Sequence, residues 1–366
     1  MNKNPRLIDI ARLASVSIGT VDRVIHNRGR VASKTKEKIL KISEDLGYKP
    51  NIHASGLAST KTSKKLLVLI PNKGQDPYWD SVHEGCQIAK VKMSHQNIHL
   101  QFKCFDLFDR TDFLKMINQL DFTGVDGILL SPIFRKESEK VFSKLDEIQK
   151  PFVIINTKIE WKSEYLISYV GPNSYQSGRL AARLMSLHCS ENDNVLIFPL
   201  DKEFKNAQHY LEKEKGFREW FEEMMPSVKV VTREFENFDN IYELNKFLKF
   251  QLSEIGNLAG IFTGSSRIHK IAEYLEENQI NNIRLIGYDS IEANLHYLKK
   301  GKIDYLIGQN PKLMGCVGLL NLRDQIVFRL KPKAVQYLPL DVLLPENVSF
   351  NSGNYYLPEV QEAFLQ

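Results

Sequence analysis

RLIDIARLASVSIGTVDRVIHNRGRVASKTKEKILKISEDLGYKPNIHASGLAS, residues 6–59, is the stretch on which the reading of this chain turns. Leu7, Ile10, Ala11 and Ala14 recur at helical spacing, so a short amphipathic helix is expected over Leu7–Ala14. Ser15-Val16 makes a turn, and Ser17 stands where an N-cap hydroxyl meets the free amides of a second helix. That helix is expected from Ile18 to about Asn27, with Val21, Val24 and Ile25 inward and Ile18, Gly19, Asp22, Arg23 and His26 outside. After a turn at Gly29 a third helix runs from about Lys34 to Leu46. Its buried stripe is Ile39, Ile42 and Leu46, and Lys34, Lys36, Lys38 and Lys41 face solvent or phosphate. Ser33 is a candidate cap for it, since Ala32 offers no hydroxyl. Gly47 stops it, and Tyr48-Lys49-Pro50 breaks the chain.

Charge separates this head from the rest. Residues 1–61 hold twelve Lys and Arg against five Asp and Glu, a local charge of +7, whereas the whole chain of 366 residues carries only +5. The remainder is therefore slightly acidic, at −2. A basic head on an acidic body is the electrostatic footprint of a nucleic-acid contact, although a solvated basic helix face would carry the same charge. A second helix with a free outer face suits the major groove. Arg23 is the strongest base reader there, because its planar fork matches guanine O6 and N7; its alternative is a phosphate contact or a surface ion pair.

The spaced matches DIARLASVSIGTVDRV, Val31 with Thr35, GYKPN, and Ala54 with Leu57 and Ala58 make the head resemble the DNA-binding region of the lactose-repressor (LacI/GalR) family. The resemblance implies DNA contacts from Ser17, Ile18, Gly19, Thr20, Arg23, His26, Arg30, Thr35, Ala54 and Leu57. It casts Leu57 as an apolar wedge that unstacks a minor-groove step and bends the duplex. The chain departs from the family in several places. Gly19 has no side chain and Ile18 reaches only thymine methyls. Ser15 stands where glycine is common, and a positive φ there would cost roughly 1 kcal/mol. Asp22 and His26 replace residues that are commonly Ser and Asn. Gly56 weakens the hinge helix by about 1 kcal/mol against Ala.

The body, from Lys64 onward, alternates apolar strands with amphipathic helices. Strands are expected at 65–71, 98–105, 125–133 and 151–157, then at 194–200, 228–235, 258–264 and 283–289. Helices are expected at 78–94, 173–187, 210–225, 267–278 and 311–328 among others. Unbroken Val/Ile/Leu strands followed by helices argue for parallel sheets covered on both faces. Two such sets imply two similar α/β subdomains, whose ligands sit at the carboxyl ends of the strands.

IPNKGQDPYW, VGPNSYQSGR, GIFTG, LIGYDS and IGQNP make residues 64–345 resemble periplasmic sugar-binding proteins and the effector domains of the same repressor family. The expected fold is thus an all-α helix-turn-helix head plus an α/β effector domain of two similar parallel-sheet subdomains, periplasmic binding protein-like. The expected division is 1–49 head, 50–63 hinge and 64–366 ligand-binding and dimerisation domain. By resemblance the cleft residues are Asp76, Tyr78, Trp79, Asn156, Lys213, Ser265, Asp289 and Gln309. Tyr78 and Trp79 suit the apolar face of a sugar ring, and Asp289 and Asn156 its hydroxyls. Each has a plain alternative: a strand-end Asp can cap the next helix, and a Tyr-Trp pair can be core. The cleft shows Asn156-Thr157 where the family often has Asp-Arg, Ser265-Ser266 for Asn-Asp, and Lys213 for Arg. These departures argue against a standard pyranose and leave a sugar derivative, a phosphorylated sugar or another polyol open.

Other classes are poorly supported. There is no GxGxxG, Walker loop, HExxH or GxSxG, so enzyme activity is not expected. The four cysteines lack zinc or disulfide spacing, and the histidines lack metal spacing; no metal or cofactor is expected. His95 and His99 read as surface residues; Asp106 and Asp109 could form a carboxylate pair, with helix capping the favoured reading. The N-terminus lacks an apolar signal core and no apolar run spans a membrane, so a cytoplasmic, nucleoid-associated protein is expected. The expected partners are double-stranded operator DNA, a small-molecule effector, a sugar or sugar derivative, and a second copy; the resemblance implies dimer contacts around helix 78–94 and its counterpart in the second half. The tail after Val348 lacks leucine heptads, which argues against a coiled-coil tetramer. The function expected is a ligand-responsive repressor of carbohydrate-utilisation genes. The rival is a solute-binding component using the same cleft without DNA.

Overall fold

The computed structural model describes residues 5–25, 31–48, 62–202 and 204–350. The chain divides into two compact units. One holds the N-terminal segment to Ser63 with the short pieces His95–Asn97 and Arg323–Lys331, and the other holds the rest.

In the first unit three helices form, α1 (Leu7–Ala14), α2 (Ile18–Ile25) and α3 (Ser33–Asp45). Ile10, Ala11, Ala14, Val21, Val24 and Ile39 are their shared core. Asp9 accepts from the Arg6 amide at 2.9 Å, closing the first turn of α1. Ser15 ends α1 at φ 57, a left-handed conformation, and frees Val16 N–H to reach Ala11 O at 3.0 Å. Ser17 caps α2 as expected, its Oγ accepting from Thr20 N at 3.1 Å. Two expectations fail in α3. Ala32 is its N-cap residue and Ser33 already lies within the helix, so no hydroxyl caps it. Leu46 falls on the open side of the last turn and is 36% exposed, while Ser43 takes the buried place. Lys38 is not simply turned to solvent, for its ammonium donates to Ala14 O at 3.0 Å, at the negative end of α1.

The second unit contains two six-stranded sheets. The first lobe has β1 (Lys64–Pro71), β2 (Ile98–Phe105), β3 (Gly127–Leu130), β4 (Phe152–Ile155), β5 (Leu166–Gly171) and β11 (Val335–Tyr337), in the order β11-β5-β4-β3-β1-β2. The second has β6 (Asn194–Ile197), β7 (Lys229–Thr232), β8 (Leu258–Phe262), β9 (Arg284–Tyr288), β10 (Tyr305–Gly308) and β12 (Asp341–Leu343), in the order β12-β10-β9-β8-β6-β7. The two orders are the same. All pairings are parallel except β10 with β12. The eight expected strands form, each ending within a few residues of its expected bounds. The strands β5, β10, β11 and β12 were not foreseen.

Burial explains the apolar runs. In β1, Leu66 through Ile70 are all 0–1% exposed, because helices cover both faces of the sheet. In the second lobe alternate residues of one strand serve opposite faces: Leu196 belongs to one core cluster, Val195 and Ile197 to the other. The helices of this unit are α4 (Pro77–Lys92), α5 (Arg110–Asn118), α6 (Arg135–Glu147), α7 (Ser174–Ser186), α8 (Gln208–Met224), α9 (Ile241–Glu254), α10 (Ile268–Glu277), α11 (Glu292–Lys299) and α12 (Pro311–Arg323). The chain passes between lobes three times, after β5, after β10 and between β11 and β12. Asp109 caps α5 through Thr111 N (2.7 Å) and Asp112 N (3.3 Å), in line with its reading as a cap. Asp106 instead accepts from Phe108 N and Gln75 Nε2. Among the described residues no helix is long and apolar enough to cross a membrane.

Candidate functional site

Two surfaces follow from this architecture, and the head offers the first. Ser17, Ile18, Gly19 and Arg23 are exposed along one side of α2, and Thr20 and Thr35 are half-buried. Ser17 Oγ also lies 2.9 Å from Thr20 Oγ1, so the two hydroxyls form one polar patch at the start of α2. A Cβ on Gly19 would only touch Ser17 Oγ at 3.8 Å and Arg23 Nη2 at 4.0 Å, so the glycine leaves the backbone bare beside Arg23. His26, Arg30, Ala54 and Leu57 lie outside the described residues, as does the hinge from 50 to 61.

The second surface is the cleft between the lobes, where the carboxyl ends of both sheets meet. Asp76, Tyr78, Trp79, Asn156, Lys213, Ser265, Asp289 and Gln309, named from sequence, all line one cavity there. Its volume is only about 50 Å3.

On the first lobe Asp76 caps α4, accepting from Tyr78 N at 2.9 Å, with Pro77 at the first helical position. Tyr78 and Trp79 are 6% and 4% exposed, edge to face at 5.3 Å. They are thus both core and cavity wall. Tyr78 Oη donates to Asn156 Oδ1 at 2.7 Å. Asn156 directly follows β4 at φ 67 and lines the cavity. Its Nδ2 donates to Thr157 Oγ1 at 3.2 Å, and Thr157 Oγ1 lies 3.0 Å from His209 Nδ1 on the second lobe.

On the second lobe Asp289 ends β9 at φ 68, the counterpart of Asn156. It does not cap the following helix: both of its oxygens accept from Gln309 Nε2, at 3.0 and 3.1 Å. Asn294, fully buried, donates to Ser266 O, Tyr288 O and Asp289 O and fixes both strand-end turns. Lys213, 1% exposed, donates to Gly264 O at 2.9 Å and sits 3.7 Å above the Tyr288 ring. Burial pushes the Lys213 ammonium well below the lysine range, and the Asp289 charge restores some of that. Burial likewise lifts Asp289 above the carboxylate range, against the pull of Lys213 and Gln309. Burial, aided by Lys213, also holds His209 well below its ordinary value, so its ring is neutral.

Arg267 binds the lobes together, and sequence reasoning missed it. Its guanidinium donates to Asp76 at 3.1 Å and to Leu200 O at 3.3 Å, and approaches Asp201 at 3.8 Å. It also lies between the rings of Phe108 (5.1 Å) and Phe238 (4.7 Å), one from each lobe. Ser266 Oγ adds a bond to Asp76 at 3.1 Å. Arg267 directly follows the GIFTGSS stretch, but Asp76 is 191 residues away in sequence. Only the fold brings them together. A second interlobe clasp stands apart from it: Asn206 accepts from Lys136 N at 3.3 Å and donates to Glu137 at 2.9 Å, and Arg135 donates to Gln208 at 2.7 Å.

Both the head and the body match known families. Residues 6–51 match bacterial regulatory proteins of the lacI family, and residues 67–328 match the periplasmic binding protein domain. The chain is 29% identical to the HTH-type transcriptional regulator DegA of Bacillus subtilis over 153 residues, 41% of this chain and 43% of that protein. It thus spans less than half the length of the first curated relatives it matches. It is 27% identical to the ribose operon repressor of Lactococcus lactis over 297 residues, 78% of this chain and 81% of that one. Among solved structures, a putative LacI transcriptional regulator from Bacteroides fragilis is similar with a TM-score of 0.70 and 25% identity, covering 79% of this chain and 99% of that one.

Proposed function

Because the chain belongs to the lacI family of bacterial regulatory proteins and joins that family's head to a periplasmic binding protein domain, we propose that it is a ligand-responsive, sequence-specific DNA-binding regulator of carbohydrate-utilisation genes. The observation that carries this reading is the pairing, in one polypeptide, of a basic head exposing Arg23 with a cleft lined by Asn156 and Asp289.

In this reading the head grips DNA first by charge. Lys34, Lys36 and Lys41 are exposed and suit phosphate contacts, which position the head without reading sequence. Arg23 supplies the base contact, reaching past the bare backbone of Gly19. Ser17 and Thr20 bond each other and suit a phosphate oxygen better than a base edge. Arg30, His26, Thr35, Ala54 and Leu57 complete the DNA set by resemblance. A homodimer presents two heads to a palindromic operator, and repression is the response we assign.

In the cleft, a polyol takes hydroxyl bonds from Asp289 and Asn156, with Tyr78 and Trp79 against its apolar face. Ser265, Lys213, Asp76 and Gln309 supply the remaining polar positions. A ligand that binds one lobe arrangement better than the other shifts the heads by its differential affinity; about 1–3 kcal/mol suffices for a useful switch. A solute-binding role without DNA would leave the lacI-family segment idle.

The test is a thermal-shift screen of sugars, sugar phosphates and nucleosides, then gel shifts on the gene's upstream DNA with each hit. Arg23→Ala should cost about 1–3 kcal/mol of specific binding and leave ligand binding intact. Asp289→Ala should leave DNA binding intact but unresponsive. Specific affinity that survives Arg23→Ala removes it as the reader; a normal ligand response in Asp289→Ala removes that carboxylate from the site.

A further inference from the structure

A second chamber opens beside the crossover that follows β5, with a volume of about 260 Å3. It is lined by both lobes and by the first crossover, among them Lys158, Ile159, Pro172, Gln208, Glu212 and Tyr337. His209 is common to its wall and to that of the inner cavity. We propose that the effector site continues past His209 into this chamber, so that the effector is a neutral saccharide of at least two units, one ring inside and the next against Tyr337. The proposal rests on the carbohydrate-effector reading above and names the ligand class.

Size argues first. Ligand cavities usually measure about 300–1,000 Å3. The inner cavity, at about 50 Å3, is far below that range, and the two chambers joined reach its lower end.

Chemistry argues next. The cations of the outer chamber already have partners. Arg135 bonds Glu139 at 3.0 Å and Gln208 at 2.7 Å, and Lys158 bonds Glu160. The lining is therefore close to neutral, which disfavours a phosphate there. Tyr337 is 44% exposed and, with Ile159 and Pro172, gives an apolar flank. Gln208 and Glu212, bonded to each other at 2.8 Å, give a polar one. One apolar side facing one hydroxyl-bonding side is what a pyranose presents in reverse.

The wall between the chambers is itself a relay. Tyr78 donates to Asn156, Asn156 to Thr157, and Thr157 bonds His209. With Nδ1 accepting from Thr157, the neutral ring offers Nε2–H at the junction, where the oxygen bridging two sugar units would fall. A ring that engages Asn156 inside resets the residue that divides the chambers. Because the outer chamber borders the crossover at Pro172-Asn173, its occupant touches both lobes and the segment that joins them.

The test is titration calorimetry on the full chain with glucose, galactose, maltose, cellobiose, sucrose and lactose, for wild type, Tyr337→Ala, Glu212→Ala and Asp289→Ala. Thermal melts verify that each variant is folded. We expect one of the two-unit sugars to bind roughly tenfold or more tightly than its constituent monosaccharides. Tyr337→Ala and Glu212→Ala should each erase most of that advantage and leave the monosaccharide unchanged, while Asp289→Ala weakens both. A monosaccharide that binds as tightly as every two-unit sugar, or outer-chamber variants that leave the two-unit sugar unaffected, would overturn the extended site and spare the regulator reading. If none of these sugars binds, both the extended site and the carbohydrate-effector reading fall, while the gel shift without ligand still tests the head.

Discussion

The two lobes are the same backbone with different chemistry. Their strand orders coincide, and Asn156 and Asp289 stand at matching strand ends with φ 67 and 68. Each lobe packs a crossover helix against the helix after its first strand through a pair of glycines. In the first lobe, a Cβ on Gly85 would fall 1.9 Å from Lys312 O, and one on Gly315 2.4 Å from Val82 O. In the second, Gly178 and Gly216 meet Lys213 O and Tyr175 O, each at 2.0 Å. The chemistry then diverges. The turn after β3, Ser131–Phe134, carries no charge, whereas the turn after β8 carries Ser265, Ser266 and Arg267. One lobe supplies aromatic and amide walls with a single carboxylate, Asp76. The other supplies Lys213, Asp289, Arg267 and His209. A duplicated scaffold thus leaves the ionisable work to one half.

On that asymmetry, Arg267→Met should be the most damaging change. It leaves Asp76 buried without its cation, a loss of about 3–5 kcal/mol, and it removes the central clasp. Urea unfolding should show the destabilisation, and small-angle scattering a more open effector domain. Arg135→Ala, at the half-exposed outer clasp, should cost under about 1 kcal/mol. Equal costs would refute the ranking of the two clasps.

Next come the glycine pairs. Gly315→Ala and Gly178→Ala should each destabilise by about 1–3 kcal/mol by overpacking against backbone. Only Gly178→Ala should also weaken ligand binding, because the backbone it strikes is that of Lys213. Identical ligand affinities in the two variants would break the distinction between the lobes.

The smallest effect is a pH dependence confined to the second lobe. Asp289 is raised in the folded state from 3.8, so the folded chain keeps its proton longer, and stability falls as pH rises from there toward neutrality. Lys213 is lowered from 10.5, so the unfolded chain binds more protons above neutrality, and stability rises with pH up to that value. Asp289→Asn should flatten the acidic limb and Lys213→Met the alkaline one, read from urea midpoints across pH. Asn156→Ala should alter neither slope.

Much of the fold was legible in sequence because long apolar strands and amphipathic helices carry their period in the residues themselves. Two of the strands missed were very short. β11 and β12 have three residues each and exist only because a neighbouring strand edge is there to pair with. β12 runs antiparallel, which no pattern in Asp341–Leu343 announces. In the head, the expected Ser17 cap appears, because a cap is local chemistry. The Leu46 expectation failed because the last turn of α3 sets that residue on its open side among the described residues.

The cleft divides in the same way. The eight cleft residues came from resemblance, and the fold gathers them around one cavity. Phe108, Phe238, Asn294 and Arg267 escaped, since nothing near them in the chain marks them.

By itself the sequence determined the alternation of strand and helix, the basic three-helix head, and which residue types stand at the strand ends. Those follow from propensity, periodicity and local hydrogen bonding, which act over a few residues. Only the tertiary structure decided that Arg267 would clasp Asp76 across 191 positions, that Lys213 would lie buried over Tyr288, and that His209 would stand between the inner and outer chambers. Burial and pairing of charge depend on what the rest of the chain brings within a few ångströms, and no local pattern encodes that distance.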